Sequence, residues 1–231
     1  MPCVRLTPSF ATILLFYVCL LKYFNTGPIW PDLIQETTKM CKQSWWQNLL
    51  YIQNYDDLFN LCIPEAWYLA VDMQLFLIAP VLLLGLRKWP RIALLALTAL
   101  ILLSIASCSI TSWVFDIQRT GVYPSPAMKF YYTATHARAS PWLLGFILGY
   151  IMSKYSKEKG PPNIDYRAAL ITWMLALVVF GVCVFVGSDE NFASHERINN
   201  LFYNSFRRPA WALAMCWVIF SCHFGFGGNV T

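Results

Sequence analysis

The sequence predicts an all-α fold, a polytopic membrane helical bundle of about six transmembrane helices. Hydrophobic residues make up 58% of the 231 residues, charged residues only 13%, and the mean hydropathy is +0.49. Soluble domains carry about 25% charged residues. The charges are also missing from long runs, which is typical of segments that cross a bilayer. The formal net charge is +5, but the basic residues form no continuous patch with interleaved aromatics, so no nucleic-acid partner is predicted.

Six apolar stretches are the predicted spans. The stretch Trp67–Leu86 has twenty residues, nearly all apolar, and at 1.5 Å rise per residue this length matches the ~30 Å hydrocarbon core. The first stretch resembles the apolar region of a signal peptide, but no small-residue cleavage site follows it, so we expect a retained helix. The predicted spans are Phe10–Leu21, Trp67–Leu86, Ile92–Phe115, Trp142–Met152, Ala168–Gly187 and Ala210–Phe224.

The connection 26–66 is polar and rich in aromatic residues. A structureless loop of this length is unusual, so we expect a small folded element. Cys41 and Cys62 bracket its aromatic core. In an oxidising compartment they would form a disulfide, and two unpaired cysteines are the alternative. The chain has eight cysteines but no CxxC and no Cys/His metal spacing, so no metal site is predicted.

The basic residues of the short loops predict the orientation. One side collects eight basic and two acidic residues, a net of +6 (8 − 2), and the side richer in Lys and Arg faces the cytoplasm. The loop with Cys41 and Cys62 would then be lumenal or extracellular, in a multi-pass protein of the plasma membrane or an endomembrane. The basic residues are Arg5, Arg87, Lys88, Arg91, Lys154, Lys157, Lys159 and Arg167, against Glu158 and Asp165.

Polar residues at the outer part of the spans are the candidate cavity residues. Asp72 and Gln74 lie in the second span, and His136 and Arg138 lie at the start of the fourth. A carboxylate inside a span costs roughly 2.5–3.5 kcal/mol on insertion scales, so Asp72 either faces a polar cavity or sits at the headgroup level. Asp72 and Arg138 could meet across one cavity, for function or as a structural ion pair. His136 could act as a general base, or simply be solvated.

Arg208 is a further candidate, in the run Arg207–Arg208–Pro209. It could hold an anionic headgroup or a cofactor phosphate, and a plain anchor at the membrane edge is the alternative. No Ser-His-Asp pattern and no phosphate-binding glycine loop is present in the sequence. The residues alone therefore predict a polytopic membrane protein with a polar cavity near its outer face.

Five segments carry a family resemblance: GPIW, WWQNLLYIQNY between the two cysteines, WYLAVDMQLFLIAP, THARASPWLLGFILGYI, and RRPAWALAMCWVIFSCHFGFGG. In them the chain resembles the acyltransferase-3 family, in particular the insect and nematode "nose resistant to fluoxetine" type. The resemblance implies an integral membrane O-acyltransferase that transfers acyl groups other than aminoacyl to a lipid or glycan. It implies membrane lipids as partners, an acyl donor such as acyl-CoA as co-substrate, and no bound cofactor. The family pattern is intact at Trp67, Tyr68, Asp72, Gln74, Arg138, Gly145, Gly149, Tyr150, Arg208 and Trp211.

The chain also departs from that family. Members carry the presumed catalytic Arg/His pair on a helix upstream of the segment matching Arg5–Pro8, and further helices follow the GFGG segment. We therefore expect residues 1–231 to be a single partial acyltransferase-3-type domain, a fragment without the catalytic pair and inactive alone. Asp72 is then expected to shape the cavity rather than catalyse. The alternative function is a transporter or lipid-uptake protein of the same fold.

Overall fold

The computed structural model describes residues 2–23, 27, 30–56, 61–118, 127–155, 164–188 and 197–226. Most of these residues are helical and none lies in a strand. The predicted all-α fold is confirmed. The α-helices of the described residues are α1 (Pro2–Leu15), α2 (Trp30–Leu49), α3 (Trp67–Lys88), α4 (Pro90–Val114), α5 (Thr135–Lys154), α6 (Tyr166–Ser188) and α7 (Arg197–His223). A π-helical turn (Phe16–Leu20) and a 3-10 turn (Leu21–Tyr23) extend α1, and further short turns are Gln53–Tyr55, Pro64–Ala66 and Met128–Thr133.

Two compact units make up the chain. The first comprises Met1–Val81 and Met128–Thr135, and the second comprises Leu82–Ala127 and His136–Thr231. Helix α3 begins in the first unit and ends in the second.

The first unit has a core built from α1, the end of α2 and the start of α3. Phe10 stacks on Tyr51 with ring centroids 5.9 Å apart, and Ala70 and Met73 of α3 are buried in the same cluster. The 3-10 turn that leads into α3 starts at Pro64, where the missing N–H costs nothing because a first-turn N–H has no partner in its helix. The connection 26–66 thus contains a folded element with α2 inside it, as the sequence predicted.

In the second unit α7 packs against α4 and against α6. Phe180 of α6 and Trp211 of α7 meet edge to face with ring centroids 4.7 Å apart. A separate apolar cluster holds Leu97 of α4 and Leu143 of α5 together with the end of α3. Pro90 begins α4, and because a residue before proline avoids the helical conformation, Trp89 separates α3 from α4.

Among the described residues, four helical stretches are long and apolar enough to cross a membrane: Arg5–Tyr23, Pro64–Lys88, Pro90–Val114 and Tyr166–Val186. The predicted count of about six is therefore too high. The two other predicted spans do lie on helices, α5 and α7. Their apolar stretches are cut short by charge, since Arg138 lies in the first turn of α5 and Arg207 and Arg208 lie in α7. The first span also starts earlier than predicted, at Arg5 rather than Phe10.

Candidate functional site

Gln74 is the centre of a polar network in the first unit. Its Nε2 donates to the carbonyl of Tyr51 (2.7 Å) and to Oδ1 of Asn54 (2.9 Å). Its Oε1 accepts from Oγ1 of Thr135 and from the hydroxyl of Tyr55 (3.4 Å for the latter). An amide offers two donor hydrogens and two acceptor lone pairs. All four are used within the protein, so Gln74 holds the turn after α2 against α3.

Asn54 extends this network to the start of α5. It is fully buried, and its Nδ2 donates to Oγ1 of Thr135 (2.9 Å) and to the carbonyl of Thr133 (3.3 Å). The hydroxyl of Thr133 donates in return to the Asn54 carbonyl (2.9 Å). Removing one member of such a buried network leaves its partners unsatisfied, at a cost of about 1–3 kcal/mol for each group.

The backbone of Tyr51 presents its carbonyl to Gln74 from a left-handed conformation. Its φ is +56°, a region that costs a non-glycine residue roughly 1–2 kcal/mol. Two side-chain contacts compensate for that cost: the stack on Phe10 and a hydrogen bond between the Tyr51 hydroxyl and Oγ1 of Thr7 (3.1 Å). The turn after α2 is thereby tied to α1 as well as to α3.

Asp72 lies two residues before Gln74 but on another side of α3. Its neighbours Val71 and Met73 are buried, whereas Asp72 is exposed. Among the described residues, none forms a hydrogen bond or an ion pair with its carboxylate. An exposed carboxylate on a helix apolar enough to span the membrane fits the predicted polar surroundings better than contact with hydrocarbon.

Cys41 and Cys62 form a disulfide, so this prediction is confirmed. The S–S distance is 2.05 Å and the Cα atoms are 4.2 Å apart. Both residues are buried in the core of the first unit. The bond closes a loop of 21 residues that contains the second half of α2 and the Gln53–Tyr55 turn. It therefore supports the segment that binds Gln74.

In the second unit the contact between α4 and α7 contains polar side chains from both helices. Ser104, Cys108 and Ser112 follow one another at intervals of four and are buried, so they share one face of α4. From α7, Asn204 donates to Oγ of Ser112 (3.2 Å) and to the carbonyl of Ile117 (2.8 Å). The hydroxyl of Ser109 donates to that of Ser205 at 2.8 Å. The part of α4 after Arg91, which has no charged residue, thus carries a polar buried face.

Arg208 lies in this polar contact and connects three helices of the second unit. Its side chain is buried. Its Nη1 donates to the carbonyl of Ala137 on α5 (3.1 Å) and points to Sγ of Cys108 on α4 (3.9 Å). Arg138 is half-buried, and both guanidinium charges act on the Cys108 thiol. Arg208 and Arg138 therefore bring two positive charges to one region of the second unit, which suits an anionic group.

His136 marks the start of α5 in this unit. Its carbonyl accepts a hydrogen bond from Oγ of Ser104 (2.7 Å). The side chain is exposed, yet the desolvation that it does experience lowers the pKa of His136 below its ordinary value. The imidazole is accordingly neutral at pH 7 and able to accept a proton.

The predicted site residues therefore fall into two sets. Asp72 and Gln74 belong to the first unit, and His136, Arg138 and Arg208 belong to the second. The predicted pairing of Asp72 with Arg138 joins residues of both units and stays a prediction. Within the described part of the chain, no group of three or more His, Cys, Asp or Glu side chains could hold a metal ion.

Several polar residues of these sets escaped the sequence analysis. Asn54, Thr133 and Thr135 lie in polar connections, where nothing distinguishes a buried amide or hydroxyl from a solvated one. Ser104, Cys108 and Ser112 recur at intervals of four. This spacing predicts one shared helix face that suits close packing, but it does not identify the facing helix.

The fold and the polar sites together define a helical integral membrane protein with buried polar networks. Residues 2–229 match the model of the acyltransferase-3 family, an acyltransferase domain. The chain therefore belongs to the acyltransferase-3 family, and this supports a membrane acyltransferase-like function in general.

Two curated relatives are similar to the chain. It is 27% identical to nose resistant to fluoxetine protein 6 of Caenorhabditis elegans over 98% of this chain and 29% of that protein. It is 25% identical to regulator of hypoxia-inducible factor 1 of the same organism, over 64% of this chain and 34% of that protein. The chain thus spans about a third of the length of the curated relatives that it matches. No solved structure matches it.

Proposed function

We propose that the protein takes part in transferring acyl groups, other than aminoacyl groups, to the hydroxyl of a lipid or glycan at a membrane. The observation that carries this proposal is the match of residues 2–229 to one acyltransferase domain. In this proposal residues 1–231 belong to a single acyltransferase-3-type domain and the connection 26–66 lies on the lumenal or extracellular side. The transfer needs an acyl donor, for which acyl-CoA is a suitable chemical form, and no bound cofactor.

The reaction would break the donor's thioester and form an ester. The acceptor oxygen attacks the acyl carbonyl, a base takes the hydroxyl proton, and the thiol of the donor leaves with a proton. We assign no catalytic residue within this chain. Burial lowers the pKa of His136, which suits this side chain to accept a proton at pH 7.

Arg208 and Arg138 have the charge to bind the anionic part of the donor. Arginine pairs preferentially with phosphate and carboxylate, with two parallel hydrogen bonds where geometry allows. The hydrogen bond from Arg208 to Ala137 supports this role, since it fixes the guanidinium between α4, α5 and α7. Asp72 would accept a hydrogen bond from the acceptor hydroxyl and so orient it. Gln74 would hold the turn after α2 against α3, the helix that carries Asp72.

The transporter alternative also draws support from Asp72, because carboxylates inside membrane segments are common on ion and solute pathways. The test uses the full-length protein in proteoliposomes with Asp72→Asn, and Asp116→Asn as the control. Asp116 is an exposed carboxylate that pairs with Arg197 at 3.3 Å. We expect wild type and Asp116→Asn to transfer the acyl group of a labelled acyl-CoA, and Asp72→Asn to lose most of this activity. Uptake that depends on Asp72, with no acyl transfer by wild type, would refute the enzyme proposal.

A further inference from the structure

An apolar groove of about 270 Å³ lies within the first unit, between the α1 segment and the C-terminal part of α2. Apart from the thiol of Cys19, the side chains that line it are hydrophobic. The main lining residues are Ala11, Leu14, Leu15, Val18, Trp45 and Leu49. Pockets for drug-sized ligands measure roughly 300–1,000 Å³, so this volume suits one slender apolar chain rather than a bulky ligand.

The groove lies on a segment that itself fits a membrane. Arg5–Tyr23 is long and apolar enough to cross a bilayer. Leu15, on the rim of the groove, is 63% exposed. In a bilayer this rim would meet lipid hydrocarbon. Acyl chains are therefore the apolar groups present at high concentration next to the groove.

Two lysines lie beyond the apolar lining. Lys22 follows Cys19 by three residues, and Lys42 precedes Trp45 by three and Leu49 by seven. These spacings place Lys42 on the face of α2 that lines the groove. The turn Leu21–Tyr23 also packs against α2. We therefore place Lys22 and Lys42 at the same end of the groove, the end at Cys19 and Trp45. Both side chains are exposed, and among the described residues no carboxylate forms an ion pair with either.

We propose that this groove binds one acyl chain of an anionic membrane lipid, with the lipid phosphate at Lys22 and Lys42. The hydrocarbon fills the apolar groove, and the two ammonium groups attract the headgroup, as basic residues near a membrane surface attract anionic lipids. This binding involves no covalent step. It goes beyond acyl transfer and does not depend on Asp72, Arg138 or Arg208, so its test and the test of the enzyme proposal fail separately.

The test uses the full chain in nanodiscs of phosphatidylcholine that contain a little phosphatidic acid with a diazirine near the end of one acyl chain. After illumination, peptide mass spectrometry locates the adducts. We expect them to concentrate on 11–19 and 45–49. Ala11→Trp fills the groove and should lower this labelling roughly tenfold, a loss of about 1.4 kcal/mol in binding. Ile13→Trp is the matched control, because Ile13 is 50% exposed on the same helix and does not line the groove; its labelling should equal wild type.

The headgroup is tested by charge reversal and by changing the probe lipid. Lys42→Glu should lower labelling roughly fivefold, because a basic residue near the surface contributes about 1 kcal/mol. Gln43→Glu on the same helix is the control and should change labelling little, since Gln43 is exposed and lies roughly 100° around the helix from Lys42. Phosphatidylcholine with the same diazirine chain should label the groove only weakly. Equal labelling by the two lipids, or adducts spread evenly over all spans, would overturn the proposal.

A second measurement needs no variant. Cys19 lines the groove and is exposed, and Cys222 is an exposed free thiol far along the chain, on α7. Phosphatidic acid should slow the alkylation of Cys19 by a maleimide severalfold and leave Cys222 unchanged in the same sample. If the two thiols react at unchanged relative rates as phosphatidic acid is added, the groove does not bind the lipid.

Discussion

Opening the Cys41–Cys62 disulfide should destabilise the first unit by a predictable amount. In the chain-entropy description, closing a loop of 21 residues restricts the unfolded chain by about 3 kcal/mol at 25 °C. For a chain of this size, 1 kcal/mol shifts the melting temperature by about 2–4 °C. Loss of the bond should therefore lower the melting temperature by about 10 °C. The Gln53–Tyr55 turn lies inside this loop, so the Gln74 network should loosen with it.

The assay compares wild type with Cys41→Ala/Cys62→Ala in nanodiscs, by thermal unfolding followed through tryptophan fluorescence, with and without reductant. Reductant should lower the melting temperature of wild type to near that of the double variant and should not affect the double variant. Peptide mass spectrometry after alkylation confirms that reduction frees Cys41 and Cys62. Cys19→Ala is the control and should melt like wild type, because Cys19 is a free, exposed thiol.

Two results would refute the reasoning. One is a wild-type melting temperature that stays within about 1 °C after the bond is shown to be open, since that excludes a contribution of about 3 kcal/mol. The other is an equal decrease in Cys19→Ala. That decrease would mean that thiol loss in general, rather than the closed loop, determines stability.

Three further predictions concern single residues, each measured as a free energy of unfolding in the same membrane. Gln74→Leu should cost about 2–4 kcal/mol, because Oδ1 of Asn54 loses its donor and the hydroxyl of Thr135 loses its acceptor. Gln43→Leu on the exposed side of α2 should cost little, and equal effects of the two substitutions would contradict the network. Partial burial lowers the pKa of His136 in the folded protein, so the unfolded chain binds the proton more tightly. The free energy of unfolding should therefore decrease as the pH falls below about 6.5, the ordinary histidine pKa. His136→Asn should reduce this pH dependence, and an unchanged profile would show that His136 does not cause it. Asp116→Asn should change the free energy of unfolding by less than about 1 kcal/mol, because Asp116 and its partner Arg197 are 68% and 47% exposed. A loss of several kcal/mol would contradict a surface ion pair.

The sequence predicted the helical fold and the disulfide because both leave strong local signals. Uncharged runs such as 92–115 can only be stable in a membrane or a large core, and the two cysteines of the connection 26–66 have no closer partner. The number of spans was overestimated for α5 and α7. Their apolar parts are clear in the sequence, but the same helices also carry Arg138, Arg207 and Arg208. Helix continuity across Arg138 and Arg208 depends on tertiary contacts that a hydropathy profile does not contain.

The partners of the candidate site residues could not be predicted from the sequence. Gln74 was a candidate because an amide in an apolar span is unusual, but its role follows from Tyr51 and Asn54, which lie 23 and 20 residues away in the chain. The contact of Arg208 with Ala137 spans 71 residues. Such contacts depend on how the helices pack, and spacing along the chain carries no information about them.

The most direct test of the account is acyl transfer by the full-length protein. The measurement follows a ¹³C-labelled acyl group from acyl-CoA into membrane lipid and glycan esters by mass spectrometry, for wild type, Arg208→Met and empty membranes. The account predicts labelled esters above the empty-membrane level with wild type, and a loss of at least roughly tenfold with Arg208→Met, the effect of removing a charged hydrogen bond worth about 1.5–3 kcal/mol. Wild-type protein that binds acyl-CoA but forms no labelled ester would contradict the account.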